Sequence, residues 1–442
     1  MSEDEPEPIE NASNAESVQE QNAPEEQDVP MQTDDPSPDA EEQHNRASEN
    51  DFFKHSACIE VARCSWDRPV RQNYLQGCHW SPDGTCVLTT VNNDGMHIVE
   101  LPTDLYSNDS VSEDRPVDLL TSAVHVKEGG LVYDCAWYPA MNSGRPETCC
   151  WIASRQHEPI QLWDAFTGGL RCSYKGYDQF DEVEAALSLT FAPVDGATLY
   201  GGYKKSIKCF DTKVPGRETC SWRTKSTASC MAIASTMPQT ILYGSWNRSI
   251  SALDARSGEC LSVGNYAPEN SHSAGVTWIV FAPDTESLFV TGARKDPKLL
   301  FWDVRKLTQP VRTLQRTCGT NQRIYLDFSP LGQWLISGDS RGVLHAWNLH
   351  ELDEQGQPKE LLFPLHWDCL NGVSFHPHNP IMATASGQYH FPSAWQDTED
   401  GEPEVAAGAP EEVPPVAKGG DRPKVENSLT MWWIGEGLFS DE

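Results

Sequence analysis

The chain has 442 residues and a formal net charge of −32, which excludes a uniformly basic nucleic-acid-binding surface. Sixteen acidic residues against Arg46 give residues 1–50 a net charge of −15, residues 393–442 carry −9, and only −8 remains for residues 51–392. Local basic patches are therefore compatible with the central region. No apolar run approaches the roughly 20 residues of a membrane span, and the fourteen cysteines form no CxxC pair. We expect free thiols in an intracellular protein without a signal peptide or membrane contact.

Residues 1–50 consist mainly of Glu, Asp, Gln, Pro, Ser and Asn, with almost no large apolar side chain. Such a segment cannot bury enough apolar surface to offset the entropy lost on ordering. We therefore predict a disordered acidic tail over residues 1–50, with ordered structure beginning near Asp51. The segment 57–66 then alternates apolar and polar residues as a strand does.

A longer phrase repeats about every 45 to 57 residues along the rest of the chain. An apolar strand ends in [FW]-x-P or a relative, a second strand ends near Gly, and a third ends in Trp-Asp or a relative. The repeated prolines are Pro82, Pro139, Pro193, Pro238, Pro283, Pro330 and Pro377. This period predicts an all-β, seven-bladed WD-repeat β-propeller, in which each small sheet is buried between its neighbours.

The last blade breaks the pattern. Residues 393–425 are rich in Pro, Gly, Ala, Glu and Asp and are predicted to be an acidic low-complexity loop inside that blade. We assign residues 51–392 to the propeller and residues 426–442 to a closing strand and C-terminal tail. The strand at 428–433 supplies the missing third strand, and 57–66 is the remaining candidate for the fourth. Both ends of the chain would then close the ring and remove an exposed sheet edge.

Catalytic and cofactor motifs are absent from the sequence. It contains no P-loop, no G-x-G-x-x-G, no H-E-x-x-H and no G-x-S-x-G. His376 and His378 flank Pro377 at a blade-entry turn, where turn histidines are a better interpretation than a metal site. We therefore predict a binding protein without catalytic activity, cofactor or metal.

The turns between the second and third strands carry cations in five of the seven predicted blades. Propeller geometry places these turns on one rim, where Tyr203, Trp246 and Tyr389 interleave with the cations. Cations neutralise phosphates and aromatic rings stack on unpaired bases, so the rim suits single-stranded or looped RNA. The alternative is that turns are polar in any protein. The cations are Arg155, Lys204, Lys205, Arg248, Arg294, Lys295, Lys298 and Arg341.

A second function class is suggested by one segment of blade 5. Residues 299–305 read LLFWDVR and contain the pattern WDxR, which resembles the motif by which some propellers dock to cullin ligase adaptors. Arginine is also frequent after Trp-Asp in ordinary repeats. A protein-binding adaptor that uses Arg305, such as a ligase substrate receptor, is the alternative to RNA binding.

Several phrases go beyond generic repeats. They are IQLWDAFTG at 160–168, GARKD at 292–296, TNQRIYLD at 320–327, NGVS at 371–374, ATASGQ at 383–388 and the late Trp432-Trp433. In this order, and with the interrupted last blade, residues 72–434 resemble the telomerase Cajal body protein family of WD-repeat subunits.

That resemblance implies an RNA-binding scaffold. The family binds the CAB box of H/ACA-type small Cajal-body RNAs and of vertebrate telomerase RNA, and directs these RNAs to Cajal bodies in the nucleus. It implies H/ACA ribonucleoprotein partners, folding by the cytosolic chaperonin with some protein in the cytoplasm, and a monomer. Tyr389 departs from the family pattern, which has Arg or a similar residue there. The expected RNA-binding residues are Lys204, Lys205, Trp246, Arg248, Arg294, Lys295, Arg323, Tyr325, Arg341 and Gln388, with Asn321 and Gln322 in the same matching phrases.

Overall fold

A computed structural model describes residues 49–54, 57–66, 72–106, 110–127, 130–193, 196–263, 270–390 and 425–438. The predicted acidic tail, apart from its last two residues, and the predicted low-complexity loop, apart from Val425, lie outside this part of the chain. Within it, the only helices are three short 3-10 turns, at Glu49–Asp51, Thr103–Leu105 and Pro146–Thr148. No helix among these residues is long and apolar enough to cross a membrane.

The described strands form the seven blades of a β-propeller, which confirms the predicted fold. Blades 1 to 6 each contain four antiparallel strands in chain order, and the first strand of each is innermost. Blade 1 comprises Leu75–Trp80, Cys86–Val91, Gly95–Glu100 and Val124–Val126, and blade 2 comprises Val132–Trp137, Cys150–Arg155, Ile160–Asp164 and Leu170–Tyr177. Blade 3 comprises Ser188–Phe191, Thr198–Gly202, Ser206–Asp211 and Cys220–Arg223, and blade 4 comprises Ala228–Ile233, Thr240–Ser245, Ile250–Asp254 and Cys260–Val263.

The remaining blades follow the same plan, except that the last one draws its fourth strand from the beginning of the chain. Blade 5 comprises Val276–Phe281, Leu288–Ala293, Lys298–Asp303 and Arg312–Gln315. Blade 6 comprises Leu326–Phe328, Trp334–Gly338, Val343–Leu352 and Pro358–Pro364. Blade 7 comprises Leu370–Phe375, Ile381–Ser386, Ser428–Trp433 and Ile59–Ser65. Short additions extend two blades: Val183–Glu184 and Gly216–Arg217 pair with blade 2, and Asp118–Leu119 with blade 7. Val111–Ser112 pairs with Gly437–Leu438.

The hydrophobic core is divided among the junctions between neighbouring blades. In the junction of blades 4 and 5, for example, Leu242 and Ile250 pack against Phe289 and Trp302, and all four are nearly inaccessible to solvent. Comparable clusters fill the other junctions. Burial of each such side chain contributes about 1.5–3 kcal/mol. A single blade would expose this surface, so the ring is stable only when it is complete.

Blade 7 closes the ring as the sequence predicts. Ile59–Ser65 pairs antiparallel with Ser428–Trp433, in a register that runs from Ile59 opposite Trp433 to Ser65 opposite Ser428. All six residues of Ser428–Trp433 are buried. Asp118–Leu119 adds a parallel fifth strand at the outer edge, which the sequence analysis did not predict.

Blades 5 and 7 share a buried hydrogen-bond network of four side chains. In blade 5, His272 Nδ1 lies 2.9 Å from Asp296 Oδ2 and His272 Nε2 lies 2.8 Å from Thr291 Oγ1. The indole of Trp302 donates to the same threonine oxygen at 2.9 Å. Blade 7 repeats the arrangement with His366, Glu426, Thr384 and Trp432. Each network links two strands to the loop that enters the blade.

The described chain begins slightly before the predicted boundary at residue 51. Glu49 is buried, and its carboxylate accepts hydrogen bonds from Ser329 Oγ at 2.6 Å, from Gln333 N at 3.2 Å and from the amide of Leu331. Phe53 packs on Trp334, with ring centroids 5.0 Å apart. The apolar content of this short segment is thus sufficient to anchor it on blade 6.

His376 has the turn role that the sequence predicts. Its Nδ1 accepts hydrogen bonds from the amides of His378 and Asn379, and its Nε2 lies 2.9 Å from the Gly84 carbonyl oxygen. Burial lowers the pKa of His376 to about 4. The ring is therefore neutral near pH 7 and donates Nε2–H to the Gly84 carbonyl, which ties blade 7 to the first turn of blade 1.

Candidate nucleic-acid interface

One face of the propeller collects the turns between second and third strands together with the loops that connect successive blades. We call it the turn face. The strands of each blade alternate in direction, so these two kinds of connection emerge at the same end. Hydrogen bonds between them show the proximity: Arg294 N donates to Gly275 O at 3.1 Å, and Lys295 N donates to Thr320 O at 3.0 Å.

Trp246 is positioned by a tight turn in blade 4. Ser245 N donates to Ser249 O at 2.9 Å, and Arg248 adopts a φ of 67° to complete the turn. Gly275 supports the turn from behind, since a Cβ at this position would lie 2.9 Å from the Trp246 Cα. The indole points away from the core and is 49% exposed. An exposed, rigidly held indole is a suitable stacking platform for an unpaired base.

Arg294 of blade 5 lies beside this indole, with its guanidinium carbon 5.5 Å from the ring centroid. Its Nε is buried and makes no hydrogen bond to any residue in the described ranges. Burial, followed by the charge of Arg323, lowers the pKa of Arg294. A partly desolvated cation without a carboxylate partner among the described residues is stabilised by an anion such as a phosphate.

Further cations flank this pair on blades 3 to 5. Lys204 and Lys205 are exposed in the turn of blade 3, Arg248 in that of blade 4 and Lys295 in that of blade 5. Arg223 and Lys225 are also exposed, at the end of blade 3 and in the loop that follows it. None of these six forms an ion pair with another described residue. We call this set, with Arg294 and Trp246, the cationic sector.

Sequence reasoning missed Arg223 and Lys225 because it counted only the turns inside blades. The loops between blades emerge on the same face, so the same strand alternation could have identified both cations. The sector is bounded on the side of blade 2 by an acidic loop that contains Asp178, Asp181 and Glu182.

Several cations expected on the rim are placed elsewhere or are already paired. Arg155 is buried, and its guanidinium donates to Gln161 Oε1. Lys298 is half-buried and donates to the Ser271 carbonyl at 3.5 Å. Arg341 is exposed but pairs with Asp339 at 3.2 Å. The expectation of a rim that is cationic in five blades is therefore corrected to a sector of three blades.

One of the expected rim aromatics is also buried. Tyr203 has no exposed surface, and its ring packs under Lys208 Nζ at 4.2 Å from the ring centroid. Tyr203 closes its turn, since its N donates to Ser206 O at 2.8 Å, whereas Trp246 follows Ser245, the residue that closes the turn of blade 4. Tyr389 remains 46% exposed, beside Gln388, whose Nε2 donates to Asp368 Oδ1 at 2.8 Å.

Arg323 and Tyr325 lie inside the central channel. Arg323 Nη1 donates to Asp134 Oδ1 at 2.8 Å and to the Tyr325 hydroxyl at 3.2 Å, and Nη2 donates to Ser229 O at 3.3 Å. The guanidinium carbon is 5.5 Å from the ring centroids of Trp278 and Tyr325. These partners come from the inner strands of blades 2, 4, 5 and 6, so Arg323 links the ring across its axis.

This placement gives both residues a supporting position rather than a rim position. Tyr325 is only 6% exposed. Asp134 is a carboxylate within the apolar strand Val132–Trp137, and a buried carboxylate requires a cationic or hydrogen-bonding partner. An aspartate in an apolar strand therefore predicts a cationic partner in the channel. The sequence does not indicate which arginine is that partner.

Arg305, the residue of the alternative adaptor hypothesis, lies in the connection after a third strand and thus on the opposite face. It is exposed and pairs with Asp303, with Nη2 to Oδ2 at 2.7 Å and Nε to Oδ1 at 2.9 Å. These local hydrogen bonds account for the Asp-x-Arg spacing without a partner protein.

Comparison with curated proteins places this arrangement in a family. The chain is 45% identical over 391 residues to the telomerase Cajal body protein 1 homologue of Drosophila melanogaster, covering 87% of this chain and 70% of that protein. It is 37% identical over 386 residues to telomerase Cajal body protein 1 of Bos taurus, covering 84% and 67% respectively. The chain belongs to the telomerase Cajal body protein family. The Mus musculus protein is 36% identical over 416 residues, covering 90% of this chain and 74% of its own length.

No family model matches the sequence. The assignment to the telomerase Cajal body proteins therefore rests on these relatives and on the WD-repeat propeller. It confirms the family that the sequence phrases indicate.

Proposed function

We propose that this protein is a non-catalytic scaffold that binds a single-stranded loop of RNA on the cationic sector of its turn face. The observation that carries the proposal is the pair formed by Trp246 and Arg294. An unpaired base would stack on the exposed indole while a neighbouring phosphate meets the guanidinium. Lys204, Lys205, Arg248 and Lys295 would contact further phosphates of the same strand.

We infer the RNA class from membership of the telomerase Cajal body protein family. The proposed ligands are H/ACA-type small Cajal-body RNAs that carry a CAB box, with telomerase RNA as a further client. The protein would deliver these RNAs to Cajal bodies in the nucleus and contact H/ACA ribonucleoprotein proteins there. We further propose that the protein is a monomer, folded in the cytoplasm by the cytosolic chaperonin, because its ring closes only when both ends of the propeller meet.

Arg323 and Tyr325 have an indirect role in this proposal. Arg323 forms an ion pair with Asp134, so this carboxylate is not available to Arg294. In addition to burial, the positive charge of Arg323 lowers the pKa of Arg294. A bound phosphate would offset this repulsion between the two cations. The two channel residues would thus prepare the cationic sector for an anion without touching it. Gln388 and Arg341 are proposed as peripheral contacts, because each is already engaged by an aspartate.

The test is affinity for a CAB-box hairpin and for a hairpin with a scrambled loop, each at two salt concentrations. The double variant Arg294→Ala, Lys295→Ala should bind both hairpins more weakly and reduce the slope of log K against log salt by about 0.7 for each phosphate that the variant no longer neutralises. Trp246→Ala should cost about 1–3 kcal/mol with little change of slope. Arg256→Ala is the control, since Arg256 is exposed on the opposite face, where it pairs with Asp254.

Two outcomes would contradict the proposal. If the wild-type protein binds both hairpins equally, the sector is not a specific RNA site. If it distinguishes them but the sector variants bind as tightly as Arg256→Ala, the RNA binds elsewhere. Co-purification of a ligase adaptor that is lost in Arg305→Ala would favour the adaptor alternative instead.

A further inference from the structure

Blade 1 contains a pair of histidines beside a carboxylate, away from the cationic sector. His97 of the third strand and His125 of the fourth strand are direct antiparallel partners, so their side chains share one face of the sheet. Their ring centroids are 4.1 Å apart. Asp94 lies in the turn before the third strand, and its carboxylate oxygens are 3.4 Å from His97 Nε2 and 3.9 Å from His125 Nε2.

The surroundings of His97 indicate which nitrogen is free to bind. Its Nδ1 lies 2.8 Å from Ser122 Oγ, whereas its Nε2 is buried and makes no hydrogen bond to a described residue. When Nδ1–H donates to Ser122, the lone pair of Nε2 faces the Asp94 carboxylate.

In the other tautomer Nε2–H faces the Asp94 oxygen 3.4 Å away. A cation bound between Nε2 and the carboxylate would displace this proton, because metal ligands bind in their deprotonated form. A serine that holds the distal nitrogen is also the kind of outer contact that orients metal-bound histidines. Trp66, whose ring centroid is 5.0 Å from that of His97, forms one wall of the site. The candidate ligand atoms of Asp94, His97 and His125 all lie within 4.8 Å of one another.

We propose that Asp94, His97 and His125 bind a divalent first-row transition metal of the zinc class. Two imidazole nitrogens and one carboxylate oxygen suit Zn²⁺ and its neighbours, whereas Ca²⁺ and Mg²⁺ prefer oxygen ligands alone. The side chain of His125 is 36% exposed, so water completes the coordination from that side.

Binding requires one local movement. The two rings stack with an angle of 15° between their planes, so their lone pairs run side by side rather than converging. His125 Nε2 also lies 2.9 Å from the Asp94 carbonyl oxygen. Rotation of the exposed His125 ring exchanges that contact for the metal and leaves the buried His97 in place.

The metal would fasten the outer edge of blade 1. Its fourth strand has only three residues, Val124–Val126, and is held to the blade by its pairing with the third strand. An ion shared by the turn, the third strand and the fourth strand would couple all three. This site lies outside the cationic sector and does not depend on RNA binding.

The experiment is calorimetric titration of the chelator-treated full-length protein with ZnCl₂. A Cys220→Ser background is used, because Cys220 is the exposed thiol among the fourteen cysteines. One ion should bind per chain, and hydrogen exchange of Val124–Val126 should slow when zinc is added. His125→Ala and Asp94→Asn should each weaken binding at least roughly tenfold. His157→Asn is the control: His157 is exposed in a turn of blade 2 with a φ of 65°, which Asn tolerates.

The exposed position of His125 keeps the test independent of folding, which circular dichroism of each variant verifies. The proposal is overturned if the parent binds no zinc, or if His125→Ala and Asp94→Asn bind it as tightly as His157→Asn. It is likewise overturned if zinc binds with the expected stoichiometry but leaves exchange of Val124–Val126 unchanged in the parent protein.

Discussion

Blades 5 and 7 contain the same buried network but are assembled in different ways. Blade 5 is continuous: its strands lie between residues 276 and 315, and His272 comes just before them. Blade 7 joins Leu370–Phe375 and Ile381–Ser386 to Ser428–Trp433 and then to Ile59–Ser65. The cost of closing a loop rises only slowly with its length. A long insertion and a strand from the other end are therefore tolerated wherever the buried contacts are retained.

The two blades also differ in what they present to solvent. The turn between the second and third strands of blade 5 is short and exposes Lys295 beside Arg294. The corresponding connection of blade 7 runs from residue 387 to residue 427, and its described ends are engaged with Asp368 through Gln388 and the Glu426 amide. The continuous blade 5 presents two cations of the candidate site, whereas the discontinuous blade 7 joins the two ends of the chain and closes the ring.

The largest expected effect is loss of the closing strand. Truncation after residue 425 removes Ser428–Trp433, which pairs with Ile381–Ser386 on one side and Ile59–Ser65 on the other. It also exposes two strand edges and removes Trp432 and Trp433 from the core. We expect insoluble protein, assayed by soluble yield and thermal melting monitored by circular dichroism. A soluble truncated protein that melts like the wild type would show that blade 7 is not required for closure.

The two networks should be equally important despite their different assembly. Asp296→Asn in blade 5 and Glu426→Gln in blade 7 each leave a buried histidine without its carboxylate. We expect each to lower the free energy of unfolding by on the order of 3 kcal/mol in urea titrations. The blades are separated by blade 6, so the double variant should show additive losses. A much smaller loss for Glu426→Gln would indicate that blade 7 is the looser of the two.

Acid should reveal the contribution of Glu426. Burial opposes its ionisation, but the charge of His366 and hydrogen bonds from His366, Ser428 and the Trp367 amide outweigh burial and lower the pKa of Glu426 to about 2. The unfolded value is about 4.3, so the stabilisation is fully present above that pH and is lost as pH falls towards 2. The stability difference between wild type and Glu426→Gln should thus shrink as pH falls from about 4 towards 2. A difference that grows on acidification would contradict this linkage.

The N-terminal anchor should have an intermediate effect. Deletion of residues 1–48 retains Glu49, Phe52 and Phe53 and should leave the melting temperature unchanged. Glu49→Ala leaves the hydroxyl of Ser329 and the amides of Leu331 and Gln333 without their partner, at a cost of about 1–3 kcal/mol. Because this segment packs on blade 6, the two variants together isolate what the beginning of the chain adds there. Equal stability of the two variants would show that Glu49 is not an anchor.

The smallest effect is expected from the loop of blade 7. Replacement of residues 393–424 by a short Gly-Ser linker should change the free energy of unfolding by about 1 kcal/mol or less, because closure entropy depends weakly on length. Urea unfolding of this variant beside the wild type measures the effect. A variant that no longer folds would show that the replaced residues contribute contacts to blade 7.

The candidate site was only partly predictable. Trp246, Arg248, Lys204 and Lys205 follow from the strand period alone, because a turn of known position must lie on the rim. The roles of Arg155 and Tyr203 did not follow, since both occupy turn positions in the sequence yet fold into the blade. Sequence position specifies which connection a residue occupies but not whether its side chain turns outward.

The sequence by itself determined the number of blades, their order and the strand that completes the last blade, because burial in a propeller imposes a period that every repeat must satisfy. The tertiary structure decided which cations remain unpaired. Arg341 is paired with Asp339 two residues away, whereas Arg323 reaches Asp134 of blade 2 across the channel. Ion pairs depend on distances of a few ångströms between residues that are remote in the chain, and only closure of the ring sets those distances.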